Sequence, residues 1–251
     1  MAINTYNETD LHLTLKKIYA LEYSGKMEQK IPETNWICDI ITDSGDVIEI
    51  QTSNISALKP KIVFLLSQKR QVRIVHPIAI EKIIETYDKN GNLLSKKKSP
   101  RRDTIYSVIR SLTGMYDLLG ADGLTLELIF VNITELRQKT DADVQLANKS
   151  RRHLKNWIPC GKRLEQITQK KRLCDKKDFL VLIPANTSRP FRATDLQTAI
   201  QGKDWESEGI SLNTSNKKKA AASARLVIWL LTKMNLLKVV QTKGRSKFYD
   251  F

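Results

Sequence analysis

The chain has 251 residues, enough for one large domain or two ordinary ones. Hydrophobic residues make up 41 % of it, which supports a packed core and excludes wholesale disorder, while no stretch approaches the ~18 uninterrupted apolar residues of a membrane span. Lys and Arg number 42 against 27 Asp and Glu, and the resulting formal charge of +15 favours a polyanionic partner.

The opening residues lack an apolar leader core, so no secretory signal is expected. Cys38, Cys160 and Cys174 have no metal-ligand spacing; they suit a reducing compartment and read as small buried hydrophobes. His12, His76 and His153 form no paired-histidine pattern, so a zinc site is not expected.

In chain order, Leu11, Leu15, Ile18, Tyr19 and Leu21 have helical spacing and predict a helix from Asp10 to about Lys26. Two β-branched runs, from Trp36 to Ile41 and from Val47 to Thr52, flank Asp43-Ser44-Gly45 and predict a hairpin. Leu58 to Lys69, with Pro60 in the first turn, predicts a helix. Gln71 to Val75 predicts a strand that ends at His76-Pro77. Asn90-Gly91 marks a turn, and the basic run from Lys96 to Arg102 is either a solvated loop or a phosphate-contacting one. A helix over 104–119 and a strand from Leu124 to Val131 follow.

Residues 136–174 are polar and basic, including Arg151 and Arg152, and read as a partly helical connector. Beyond it, helices are expected over Asp175–Ile183, from Thr194, and over Lys217–Met234. Strands at Leu236–Val240 and Lys247–Phe251 then flank a tip at Thr242-Lys243-Gly244-Arg245. Three helices and a two-stranded wing give the winged-helix order. The fold class is thus α/β, a mixed sheet with flanking helices plus a C-terminal winged helix. The expected divisions are 1–135, a connector at 136–174, and 175–251.

The sharpest chemical signal is acidic. If the hairpin loop is Asp43-Ser44-Gly45, Thr42 pairs with Asp46 and Asp39 falls opposite Glu49, so two carboxylates share a face. A two-residue loop would pair Asp39 with Ile50 instead. Two such carboxylates among apolar neighbours repel unless a cation lies between them, or else one is held by a lysine and the other solvated. Mg²⁺ suits such oxygen ligands and can activate a water for phosphodiester hydrolysis.

Helix, Asp-bearing strand, turn, Glu49-Ile50-Gln51 strand, helix and strand resemble the PD-(D/E)xK nuclease core. Leu11-His12, Glu28, Ile37-Cys38-Asp39-Ile40, Ile48 to Thr52, His76-Pro77-Ile78 and Ser99-Pro100-Arg101, with the C-terminal wing, are similar to an uncharacterised bacterial family of nuclease-like proteins. The resemblance implies that Asp39 and Glu49 bind Mg²⁺ or Mn²⁺ with help from the Ile50 carbonyl. It also implies that Glu28, on the preceding helix or its end, is an accessory acid. Gln51 stands where the usual motif has Lys, and Lys61 on the next helix is placed to supply the cation, with Lys59 a weaker candidate. The implied setting is a bacterial cytoplasm, nucleoid-associated when on DNA.

The helix that opens with Lys217, Lys218 and Lys219 and carries Arg225 is the expected major-groove element. Lys243, Arg245 and Lys247 on the wing, with Arg101 and Arg102, are further DNA contacts. The expected function is a metal-dependent endodeoxyribonuclease acting on duplex DNA, as a homodimer if both strands are cut. The alternatives are a DNA-binding regulator with a degenerate core, or the endonuclease subunit of a mobile-element or defence complex; an RNA partner is less supported.

Overall fold

The structure is a computed structural model that describes residues 10–146, 154–201 and 214–251, the last stretch without the side chains of 214–216. It is an α/β protein built on a mixed seven-stranded sheet with helices against it. Arg151, Arg152 and His153 lie outside the described residues.

Helix α1 (Asp10–Glu22) buries Leu11, Leu15 and Tyr19, one turn apart along one stripe. It stops short of the expected Lys26. Ser24 adopts φ 47, and Gly25 starts strand β1 (Gly25–Lys30), where a Cβ would clash with Ile40 Cγ2. Glu28 therefore sits on a strand, not on the helix or its end. Strands β2 (Ile37–Thr42) and β3 (Val47–Ile50) form the expected hairpin. Helix α2 (Lys59–Ser67) carries Pro60 in its first turn, and strand β4 (Val72–Tyr87) returns parallel to β3.

β4 does not end at His76-Pro77. β3 finishes beside Val75, so the missing N–H of Pro77 faces no strand on that side, while β6 (Leu124–Gln145) continues to pair on the other. β5 (Leu93–Lys98) folds back on the far half of β4 after the Asn90-Gly91 turn, so Lys96, Lys97 and Lys98 lie on a strand and not in a loop. The helix expected over 104–119 is broken into 3-10 turns and the short α3 (Ile109–Leu112).

The expected connector at 136–174 is strand throughout most of its length. The end of β6 pairs antiparallel with β7 (Leu154–Leu173) as the sheet's last strand. Its charges cross-pair with neighbours and both faces of its outer half meet water, so it carries no apolar alternation.

The sheet has two apolar sides. α1 covers one, over Ile48, Ile50, Val75, Ile129, Val131 and Ile133. The other forms a continuous cluster with α2, α3 and the C-terminal elements. Those elements are a 3-10 helix (Lys176–Leu182), α4 (Ala193–Gln201), α5 (Thr214–Lys233), β8 (Lys238–Lys243) and β9 (Ser246–Asp250). Phe179, Leu182, Phe191, Ala224 and Leu230 are buried in that shared core, and the Trp229 ring meets Tyr116 edge-on at 5.6 Å. Among the described residues, no helix is long and apolar enough to cross a membrane.

A candidate active site between two helices

The hairpin takes the three-residue loop. Thr42 donates its N–H to Asp46 O (2.9 Å), Gly45 donates to Thr42 O (2.9 Å), and Gly45 sits at φ 85, where a side chain would be strained. Ile40 opposes Ile48 and Ile41 opposes Val47, which puts Asp39 opposite Glu49. There the strands part. The Ile50 N–H donates to Asp39 Oδ2 at 2.8 Å, so a carboxylate takes the place of a ladder carbonyl. The opening is a cleft of about 360 Å³ lined by His12, Trp36, Asp39, Glu49, Gln51 and Lys61, among others.

The expected shared face is not kept: the Asp39 carboxylate is contacted from the α1 side of the sheet and the Glu49 carboxylate from the α2 side, and both reach the gap between the strand ends. On the α1 side, His12 Nε2 lies 3.3 Å from Asp39 Oδ2, and the buried Lys16 ammonium lies 3.9 Å from Asp39 Oδ1 and 2.9 Å from Glu28 Oε1. Met27 opposes Ile40 and Gln29 opposes Cys38, so Glu28 falls opposite Asp39, with φ 55 where the pairing is interrupted. On the α2 side, the Lys61 ammonium is 2.5 Å from Glu49 Oε1 and donates to Ile37 O at 2.6 Å. The Gln51 amide donates to Asn54 O at 3.1 Å and remains at the cleft edge. Lys59 is engaged elsewhere, with Asp117 at 2.7 Å.

These surroundings push the two acids apart. Burial alone would raise Asp39, but the bonds from His12 and the Ile50 amide, with the His12 and Lys16 charges, outweigh it and hold the carboxyl below the ordinary range. For Glu49 burial prevails. Lys61 opposes it, the Asp39 charge adds to it, and the carboxyl is pushed up to about 7. Glu49 Oε1 is shielded from solvent and, among the described residues, has no well-directed hydrogen bond despite the nearby ammonium. Beneath it, burial and the Glu49 charge push the Cys38 thiol up to about 11.

One consequence is measurable without any ligand. In chelator, Glu49 holds its proton more tightly when folded than when unfolded. Its contribution to stability is therefore present below the ordinary carboxylate pKa and is lost as pH rises through about 7. Thermal melts between pH 5 and 8 should show this loss in the parent, and Glu49→Gln should flatten it. A parent whose stability rises over that window would place Glu49 in a different environment.

Among the described residues, no group of three or more His, Cys, Asp or Glu side chains is gathered as a metal cluster. Among the described residues, the cleft is lined by the carboxylates of Asp39 and Glu49 together with the His12 ring, the Gln51 amide and the Lys61 ammonium.

A family model described as a domain of unknown function (DUF8091) matches residues 9–174. The chain belongs to this family. The match closes just after β7, so the DUF8091 region contains the cleft, the whole sheet and the strands at 136–174, and leaves the C-terminal helices and hairpin outside. An uncharacterized protein of Treponema pallidum (strain Nichols) is 30% identical over 132 residues, 53% of this chain and 51% of the relative. The chain thus spans about half the length of the relative it matches. No solved structure matches the chain.

Of the residues singled out from sequence, Asp39, Glu49, Gln51 and Lys61 line one cleft and Glu28 reaches it through Lys16. His12, Lys16 and Trp36 were missed as site residues. Lys16 carried a signal, since it interrupts the apolar stripe Leu11, Leu15, Tyr19 and is 3 % exposed. Lys217, Lys218, Lys219 and Arg225 are exposed on α5, away from its buried Ala220, Ala224 and Val227. Lys243, Arg245 and Lys247 are exposed on the β8–β9 hairpin, and Arg101 is exposed beyond β5 with Arg102 half-buried beside it. None of these nine lines the cleft.

Proposed function

We propose that the protein is a divalent-metal-dependent endodeoxyribonuclease with a PD-(D/E)xK core and a C-terminal winged helix that docks on duplex DNA. The observation that carries this reading is the strand-end cleft. There, Asp39 and Glu49 on adjacent antiparallel strands line one opening with Lys61. The surrounding order of helix, three antiparallel strands, helix and parallel strand supports it. So does the order of helices and hairpin at the C-terminus, where Phe191 bridges to Tyr249.

The residues fit a hard cation. Asp39 and Glu49 are oxygen donors, the His12 ring being engaged by Asp39, and Glu49 Oε1 is shielded from solvent without a directed hydrogen bond among the described residues. Asp39, Glu49 and the Ile50 carbonyl would hold Mg²⁺ or Mn²⁺, which when bound supplies Lewis-acid polarisation and a more acidic water. The chain's own groups do the rest. His12 and the Ile50 amide fix the Asp39 carboxylate, and Lys16 tethers Glu28 to it. Lys61 brings a positive charge to the phosphate side, in place of the Lys that Gln51 replaces. Gln51 offers a neutral amide to a water or a phosphate oxygen. Trp36, Leu58 and Pro60 form an apolar wall of the cleft.

Purified full-length protein should nick and linearise plasmid DNA with Mg²⁺ or Mn²⁺ and not with chelator. Intact plasmid under all metal conditions would sink the nuclease reading. One observation favours a second reading, a DNA-binding regulator without cleavage. Lys61 already pairs with Glu49, and Lys16 lies beside Asp39 and Glu28, so the acids are partly neutralised by the protein itself.

Docking should be largely electrostatic. Replacing Lys217, Lys218 and Lys219 with Ala should weaken duplex binding and lower the slope of log affinity against log salt by about 2 to 3, because each phosphate that a lysine neutralises adds roughly 0.9 to that slope. An unchanged slope would remove α5 as the docking element.

A further inference from the structure

β4, β6 and β7 run on well past the end of β3. The last β3–β4 pair is Ile50 with Val75, and β4 continues to Tyr87, about twelve residues or roughly 40 Å at ~3.3 Å per residue. With β5 added, this makes a four-stranded ribbon that projects from the end of the sheet where the cleft opens.

The ribbon's two faces differ in charge. On one, Glu81, Glu85 and Glu165 are matched by Lys98, Lys96 and Arg163, with Lys96 at 3.1 Å and Lys98 at 2.9 Å from their partners. On the other, register places Lys97, Ile84, Glu135 and Lys162 in one row across the four strands. Lys82 and Arg137 both pair with Glu135, the Arg137 guanidinium lies 3.6 Å over the Trp157 ring, and Lys139 stands opposite Trp157. Glu135 stands among these five cations, Asp10 at the start of α1 lies beside Gly161, and Asp141 farther along β6 pairs with Lys89. Lys97, Lys139 and Lys162 are exposed and make no ion pair among the described residues. α1 packs on this same face and carries His12 from it into the cleft.

We infer that this face is a second DNA-docking surface, which tracks the phosphate backbone of a duplex entering the cleft. The inference rests on the DNA-binding reading above. Charge complementarity selects the occupant: a lysine-rich, weakly apolar face suits a polyanion and not another protein's apolar patch. Length agrees, since roughly 40 Å spans slightly more than one turn of B-DNA at about 35 Å. The division of labour follows: the ribbon and α5 hold backbone, and the cleft takes the scissile phosphate.

The test uses the full-length chain and a labelled duplex of about two helical turns, with binding followed by anisotropy across a salt series. The variant Lys97→Ala, Lys139→Ala, Lys162→Ala should lose roughly 10- to 100-fold in affinity and lower the salt slope by about 2 to 3. Lys96→Ala with Lys98→Ala, on the matched face, should change affinity less than about 3-fold. If the parent binds duplex and the triple variant keeps its affinity and slope, the ribbon surface is overturned while the DNA reading stands. Equal losses from both faces would also overturn it, as an effect of net charge alone. A change in mass by light scattering with DNA affinity intact would make the ribbon a contact between copies, and would overturn it too. A parent that binds no duplex removes the DNA reading and the ribbon surface together.

Discussion

Asp39→Asn and Glu49→Gln should each lower metal-dependent cleavage by about three orders of magnitude or more, while changing duplex affinity less than about 3-fold. The size follows from the role. Among the described residues, each carboxylate is one of two in the cleft, so its loss removes half of the anionic donor set that would bind the cation. Affinity is spared because the basic residues of α5, the hairpin and the ribbon lie outside the cleft. Lys61→Ala should cost less in rate than either acid and more than Gln51→Ala, since Lys61 alone brings a charge from α2 to Glu49. Single-turnover kinetics on one duplex measures all four. Retention of full rate by Glu49→Gln would remove Glu49 from the chemistry.

The largest effect on stability should come from Glu127→Ala, at about 3–5 kcal/mol. The Glu127 side chain is wholly buried, yet it accepts from Tyr19 Oη at 2.5 Å, Arg73 at 2.8 Å and Arg172 at 2.9 Å. The two guanidiniums also donate to Tyr23 Oη, at 2.6 and 2.9 Å. One carboxylate thus ties α1, β4, β6 and β7 together at the base of the sheet. Burial alone would raise it, but the bonds from Tyr19 and Arg172 and both arginine charges hold it below the ordinary range. Its contribution is therefore present at neutral pH and lost as pH falls below that range. Removing it strips the Tyr19 hydroxyl of its acceptor and leaves Arg73 and Arg172 close together with Tyr23 Oη as their shared acceptor. At ~2–4 °C per kcal/mol for a chain of this size, the melting temperature should drop by roughly 10 °C. Asp117→Ala, which breaks an exposed pair with Lys59, should cost under about 1 kcal/mol. Calorimetry of both variants decides this, and similar small losses would mean that the buried network is not what fixes α1 to the sheet.

Where the sequence was legible, a single local rule decided the outcome. Gly45 dictated the loop, the loop dictated register, and register put Asp39 opposite Glu49. Pro60 marked the first turn of α2 and so placed Lys61 within reach of the cleft. Where it was not legible, tertiary context replaced the local signal. β1 has only exposed and half-buried residues, so nothing in its pattern separates it from the end of a helix. Pro77 reads as a strand terminator unless one knows that β3 has already ended beside it. The outer parts of β6 and β7 satisfy their charges across strands, a pairing invisible in one dimension, and so read as a basic connector. His12 and Lys16 belong to the cleft only because α1 lies across the hairpin.

Asp39 and Glu49 are expected to form one divalent-cation site at the end of the hairpin. Anomalous diffraction from crystals of the full-length protein grown with Mn²⁺ tests it most directly. A peak is expected between the two carboxylates, with the Lys61 ammonium moved away from Glu49, and no peak there in Glu49→Gln crystals. A cleft without Mn²⁺ and with the Lys61–Glu49 pair intact would contradict it.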